Sequence, residues 1–284
     1  MRVFFLLILF PLILAKEKDY CSVKYRCLRH EHVLCKYSCY PGPQCRKGQL
    51  RLLTTAEKKK ILQAHNVMRH ETALQYNASN MLTLGWSKEL AKISQRLVMQ
   101  CLDLKTEFVC LPTEIYPKLT INSRHASLSP YLVVIEWLVL CNSYFKMKPE
   151  RIHKHVTVNH STNDEVQKLP FYTLAVWAKV RKNGCGIVVQ AKSGLSTFDL
   201  LCLYYPPGNV EGKPVFKIAE YGKGPASNCP KGYRRNINYT GLCIKADEYM
   251  PDTMFEDPSI CKSNVSFSSL FFLLTSLLLS VFAV

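Results

Sequence analysis

Thirteen cysteines and eight histidines are the side chains in this 284-residue chain best suited to bind metal, exchange thiols or move protons. Five of the cysteines fall between Cys21 and Cys45, where His30 and His32 stand between Cys27 and Cys35. Thiolate sulfur and imidazole nitrogen at such spacing could hold zinc. A second grouping, His153, His155 and His160, contains a His-x-His pair, but no third type of ligand is fixed beside it and it reads as a flexible loop. Serines are present, yet none sits in a nucleophile elbow or a comparable turn. The choice between zinc and disulfides depends on the compartment the chain enters.

Residues 1–15 carry one early arginine, an apolar run VFFLLILFPLILA and a small residue before KEKDY, the layout of a secretory signal peptide. Cysteines exported by that route are oxidised, so disulfides are expected in preference to zinc. Asn77, Asn159, Asn238 and Asn264 each begin an N-x-S/T acceptor for a glycan. The composition, 48% hydrophobic and 11% aromatic, supports a sizeable core. The net charge of +16 concentrates at Lys58-Lys59-Lys60, at Lys179 to Lys182 and at Lys231 to Arg235. It would attract anionic headgroups, glycans or acidic partners, or else form a solvated surface. Nucleic acid is excluded as a partner for an exported chain.

Two amphipathic stretches predict helices. TAEKKKILQAHNVMRHETALQ, with Thr55 as its cap, places Ile61, Ala64, His65 and Met68 on one face. After Trp86, with Ser87 as N-cap, Leu90, Ile93, Leu97, Val98 and Cys101 share a face. A third helix is expected from Ser129 to Phe145, apolar around most of its circumference, followed by a polar connection from Lys146 to Lys168. Leu169 to Asn209 holds two runs of β-branched and aromatic residues, read as paired strands joined by Cys185 and Cys202. The Gly-, Pro- and Asn-rich stretch after Asn209 reads as a tail of turns in which Cys229 and Cys243 pair.

Several of these segments carry a resemblance. YTLAVWAKVRKNGCG and CLYYPPGN are similar to the two signatures of the CAP superfamily, which holds the cysteine-rich secretory, antigen 5 and pathogenesis-related proteins. HNVMRHETA and the helix after Trp86 resemble its first two helices, and DYCSVKYRCLRHEHVLCKYS resembles the amino-terminal arm of insect antigen 5 proteins. The resemblance implies an α/β fold, a three-layer α/β/α sandwich with a disulfide-tied arm. It further implies the bridges Cys21–Cys35, Cys27–Cys110 and Cys45–Cys101, and a packing role for His65. The expected organisation is a signal peptide (1–15), a cysteine-rich arm (16–50), the CAP domain (51–215), a carboxy-terminal extension (216–262) and a hydrophobic terminal segment (263–284).

Family members hold two histidines and two acidic or amide residues in a central cleft, a set that binds divalent metal in some of them. Matched residue by residue, those positions are Lys105, Leu119, Leu140 and Phe171. Leu140 lies three residues after Trp137, and Phe171 stands directly before Tyr172-Thr173. Leucine and phenylalanine neither ligate a cation nor transfer a proton, and a lysine repels one. The expectation is therefore no metal, no cofactor and no enzyme, but an extracellular module that binds a protein or a lipid or sterol. The alternatives are a secreted venom or salivary effector and, less favoured, a metal-dependent hydrolase.

The segment Leu270 to Val284 is apolar, too short for a comfortable span and without a basic anchor, and so resembles a glycosylphosphatidylinositol signal. Ser263 or Asn264 could carry the anchor on the outer leaflet, as could Asp257 or Ser259 if cleavage falls upstream of Cys261. In the latter case twelve cysteines remain, and Cys39 with Cys141 would be the sixth bridge.

Overall fold

The computed structural model describes residues 18–45, 47–127, 129–135, 164–192, 195–210, 212–246, 251–257 and 260–261. Its elements are α1 (Val33–Lys36), β1 (Gly48–Leu50), α2 (Thr55–Gln75), β2 (Gly85–Trp86) and α3 (Lys88–Val98). They are followed by β3 (Thr120–Ala126), α4 (Asp164–Ala175), β4 (Lys182–Lys192), β5 (Leu195–Tyr205), β6 (Tyr233–Arg235) and β7 (Cys243–Lys245). The main sheet runs β1-β4-β5-β3, with β2 added in parallel at the start of β4 and the other pairings antiparallel. Helices cover both of its faces, giving the three-layer α/β/α sandwich.

Alternation along β5 assigns the layers. Leu200, Cys202 and Tyr204 join α2 and α4 in one core, whereas Leu201 and Leu203 join α3 and the amino-terminal arm in another. The GCG sequence of β4 follows from the same parity. Cys185 points to the α2 side, in register with Cys202 and bonded to it. Gly184 and Gly186 point to α3, which lies so close that a β-carbon on Gly184 would stand 2.6 Å from the Ser87 carbonyl oxygen and one on Gly186 2.7 Å from the Ser94 carbonyl carbon. Ser94 Oγ, donating to the Gly184 carbonyl at 2.8 Å, fixes that approach.

Both long helices start at side-chain caps. Ser87 accepts from Leu90 N–H at the head of α3, as its position suggests. The cap of α2 is Thr54 and not Thr55, because Thr54 and Glu57 form a reciprocal capping box. The expectation of a strand beginning at Leu169 is also corrected. Residues 164–175 are helical despite Pro170, and only Lys182 onward is strand. Buried Arg69 satisfies the carbonyls at that helix end, taking Ala175 O at 2.7 Å and Trp177 O at 3.0 Å, while Tyr172 hydroxyl meets Thr72 Oγ1 at 2.8 Å. The helix thus belongs to the α2 layer. Of the helix expected over 129–145, residues 130–135 are helical, and the remainder lies outside the described residues.

The arm packs on α3 through Tyr20, Tyr25, Val33 and Leu34. Bridges Cys21–Cys35, Cys27–Cys110 and Cys45–Cys101 tie it down, and Cys229–Cys243 staples the β6–β7 hairpin. The sixth bridge is Cys39–Cys261, not Cys39–Cys141. The carboxy-terminal segment returns across the domain to reach Cys39, held by Lys58 Nζ on Phe255 O at 2.8 Å, a Lys59–Asp252 ion pair at 2.8 Å and a Trp86–Phe255 ring contact. Cysteine parity leaves such a partner open, since it counts thiols without placing them. Cys141 lies outside the described residues.

Gly186→Ala is expected to lower unfolding free energy by about 2 kcal/mol or more, because the obstructing atoms belong to backbone that must shift. Urea denaturation of the purified variant measures it, and a change within about 0.5 kcal/mol of wild type contradicts the close-approach account.

Candidate functional site

Strand β3 is one edge of the described main sheet, and it presents Thr120 and Asn122 toward the segment Pro170-Phe171 and the turn Gly208-Asn209. Asn122 Nδ2 donates to Phe171 O at 3.0 Å, Asn209 Nδ2 to Pro170 O at 2.8 Å, and Gly208 N–H to Thr120 Oγ1 at 3.2 Å. Asn122 Oδ1 and Asn209 Oδ1 are buried there without a hydrogen-bond partner among the described residues. Both oxygens are enclosed from solvent, and amide side chains do not titrate.

The four positions inferred from the family pattern do not converge in this chain. Phe171 is partly buried and packs in the α2-side core, whereas Leu119 packs in the α3-side core. Lys105 is exposed in the loop after α3, and Leu140 lies outside the described residues. The sequence reading did not single out Asn122, and it gave Asn209 only as part of the CLYYPPGN signature. The signal available was Asn209 itself, the last residue of CLYYPPGN, which also takes the left-handed backbone at φ 52°.

In the arm, the cysteines and His32 of the zinc alternative are already engaged. Cys27 and Cys35 are in bridges, and both nitrogens of buried His32 are engaged: Nε2–H donates to Leu111 O and Nδ1 accepts from Leu34 N–H, each at 3.1 Å. Burial holds its pKa below the ordinary value, which suits a neutral ring stacked on Tyr20. His30 packs against Phe108. Among the described residues no cluster of three or more His, Cys, Asp or Glu is placed to hold a metal ion. His153, His155 and His160 lie outside them.

His65 is enclosed between α2 and β5. Its Nδ1–H donates to Ile61 O and its Nε2 accepts from the Tyr204 hydroxyl, both at 2.8 Å. Neither nitrogen faces the cleft, in keeping with the packing role that the resemblance implies. A His125–Asp199 pair at 2.7 Å bridges β3 and β5 on the opposite face, where Gln190 also donates to Asp199 at 2.6 Å. These groups line a cavity of about 250 Å³ together with Leu97, Val98 and Leu201.

At the terminal segment, Cys261 belongs to the folded unit through its bond to Cys39. Anchor attachment at Asp257 or Ser259 would discard that bonded cysteine, which overturns the parity argument for those two positions. Ser263 and Asn264 lie outside the described residues, as does the acceptor Asn159. Asn238 is exposed, whereas Asn77 is half-buried with its Nδ2 donating to Lys223 O at 3.2 Å.

No family-level sequence profile matches the chain. Individual proteins do: the venom allergen 5 of Vespula vidua is 33% identical over 217 residues, a match spanning 70% of this chain and 98% of that protein. The chain belongs to the venom allergen 5 family of CAP proteins. Venom allergen 5 2 of Polybia paulista is 30% identical over 214 residues, spanning 69% of this chain and 98% of its own length. Among solved structures, the hookworm platelet inhibitor matches with a TM-score of 0.50 at 20% identity, covering 71% of this chain and 97% of that one. Na-ASP-1 matches with a TM-score of 0.51 at 19% identity, covering 72% and 50%. These two establish the CAP fold and nothing finer. With six disulfides among the described residues, this CAP protein is an extracellular one.

Burial, with a smaller push from Arg69, lowers the His65 pKa from 6.5 to about 4. The unfolded chain therefore binds the extra proton between those values and the folded one does not, so stability falls as pH drops from 6.5 toward 4. Denaturation across that range should show wild type losing up to about 1.4 kcal/mol per pH unit more than His65→Gln. Parallel profiles for the two proteins would refute the neutral, buried assignment.

Proposed function

We propose that this CAP protein is a non-catalytic binding module on the outer cell surface, with a protein or a lipid or sterol as ligand. The observation that carries the reading is the replacement of a ligating quartet by Lys105, Leu119, Leu140 and Phe171, none able to hold a cation or relay a proton. A metal-dependent hydrolase would need those groups, and a fold confers no chemistry without its site. The apolar side chain at Phe171, where the family pattern has a histidine, favours a greasy ligand over a charged one. A sterol has that chemistry. The second reading, a freely released effector, draws on the venom origin of the relatives.

Two measurements test the proposal. A fluorescent sterol titrated into the purified protein should bind saturably, with Phe171→Asp weakening it about tenfold or more; absence of saturable uptake removes the sterol version. Phosphatidylinositol-specific phospholipase C applied to expressing cells should release the protein, and protein already free in untreated medium would favour the effector reading.

A further inference from the structure

Of the three basic clusters in the sequence, one is spent inside the molecule. Lys58 and Lys59 hold the carboxy-terminal segment, and Lys60 lies 5.2 Å from the Tyr131 ring centre. The other two, distant in sequence, are brought together. Arg181 leads into β4 with its guanidinium 5.6 Å from the Tyr205 ring centre and beside Tyr233 at the head of β6. Tyr233 is in register with Lys245 on β7, and directly opposed residues of an antiparallel pair share a face. Arg235, two residues on, shares it too.

This grouping is held rigidly. Cys229–Cys243 closes the hairpin base, and Cys243 is bound to the scaffold through Thr83 N–H on its carbonyl at 2.8 Å and its own N–H on Met81 O at 2.7 Å. Tyr233 packs with Leu82, Ala226 and Cys243. The backbone that carries Arg235 and Lys245 is thus set in place before any ligand arrives, which lowers the ordering cost of binding.

The cations are also unneutralised. Lys179, Arg181, Lys231, Arg234, Arg235 and Lys245 are exposed and form no ion pair with a carboxylate among the described residues. From 176 to 248 the chain has eleven Lys and Arg against Asp199, Glu211, Glu220, Asp247 and Glu248. Asp199 is taken by His125 and Glu220 by Lys223, while Glu211, Asp247 and Glu248 lie outside the described residues.

We propose that Arg181, Arg235 and Lys245 beside Tyr233, with Lys179 and Lys231 two residues from Arg181 and Tyr233 in sequence, form a binding site for a sulfated glycosaminoglycan chain. Guanidinium forks match sulfate and carboxylate oxygens, and tyrosine rings give a sugar ring a face to lie on. A lipid surface fits less well. The exposed apolar residue beside the patch, Ile237, adjoins the exposed glycan acceptor Asn238, and an attached glycan would hold a bilayer away. The site adds a surface to the binding-module reading and does not depend on it, because none of its residues belongs to the cleft.

The test is affinity for heparin at physiological ionic strength, using protein purified from a secreting host. R181Q/R235Q/K245Q should weaken binding about tenfold or more, and the charge-matched control K36Q/K47Q/K105Q by less than about threefold. Desulfated heparin should compete poorly, and phosphatidylserine vesicles should retain little protein. On the wild type, heparin should shield Lys179, Lys231 and Lys245 from amine acetylation, read by mass spectrometry, and leave Lys36, Lys47 and Lys105 reactive. Equal losses in both variants, acetylation unchanged by heparin, or retention on vesicles without heparin binding would each overturn the proposal.

Discussion

A single buried cation holds the scaffold to itself. Arg69 on α2 donates to the carbonyls of Leu82, Ala175, Trp177, Ala178 and Val180, at distances from 2.6 to 3.3 Å. Those oxygens belong to the end of α4, to the turn that leads into β4, and to the segment on which the β6–β7 hairpin docks. Irregular backbone buried in a core must find donors, and a guanidinium supplies five from one side chain. A buried charge of this kind is worth little as net stability, yet removing it would orphan several carbonyls at once. Its effect is to fix where three pieces of chain meet.

The sheet then separates two environments. Glycines on one face let α3 lie against β4, so the arm and its bridges build a core independent of the layer that contains α2 and α4. Strand β3 closes the described sheet on one side, and its Asn122 is held to the backbone of Phe171. Leucine at 119 and phenylalanine at 171 pack against the two cores on either side of the sheet. The CAP framework therefore does not depend on ligating side chains at those two positions.

What sequence could reveal follows from how local each cause is. The helices α2 and α3 are written in their own periodicity and caps, and even the correction from Thr55 to Thr54 was visible in Glu57 three residues later. The pairing of β4 with β5 was legible because Gly-Cys-Gly and the second cysteine run carry it. The helix through Tyr172 was not, since Phe171-Tyr172-Thr173 has strand-like composition and its helical state rests on Arg69 and Thr72, distant in sequence. The dispersal of Leu119 and Phe171 into different cores was likewise invisible, because a family pattern aligns positions and says nothing about where the replacements pack.

The Cys39–Cys261 bridge joins residues 222 apart in sequence. At a synthesis rate of about 5–20 residues per second, Cys39 enters the lumen roughly 10 to 45 s before its partner is made. Its four neighbours in the arm, Cys21, Cys27, Cys35 and Cys45, all find mates by Cys110, so Cys39 is the thiol left waiting beside them. The arm must therefore finish with one cysteine held in reserve. Closure of that bond reports that the chain through Cys261 has arrived, which makes the clasp a timing mark as much as a brace.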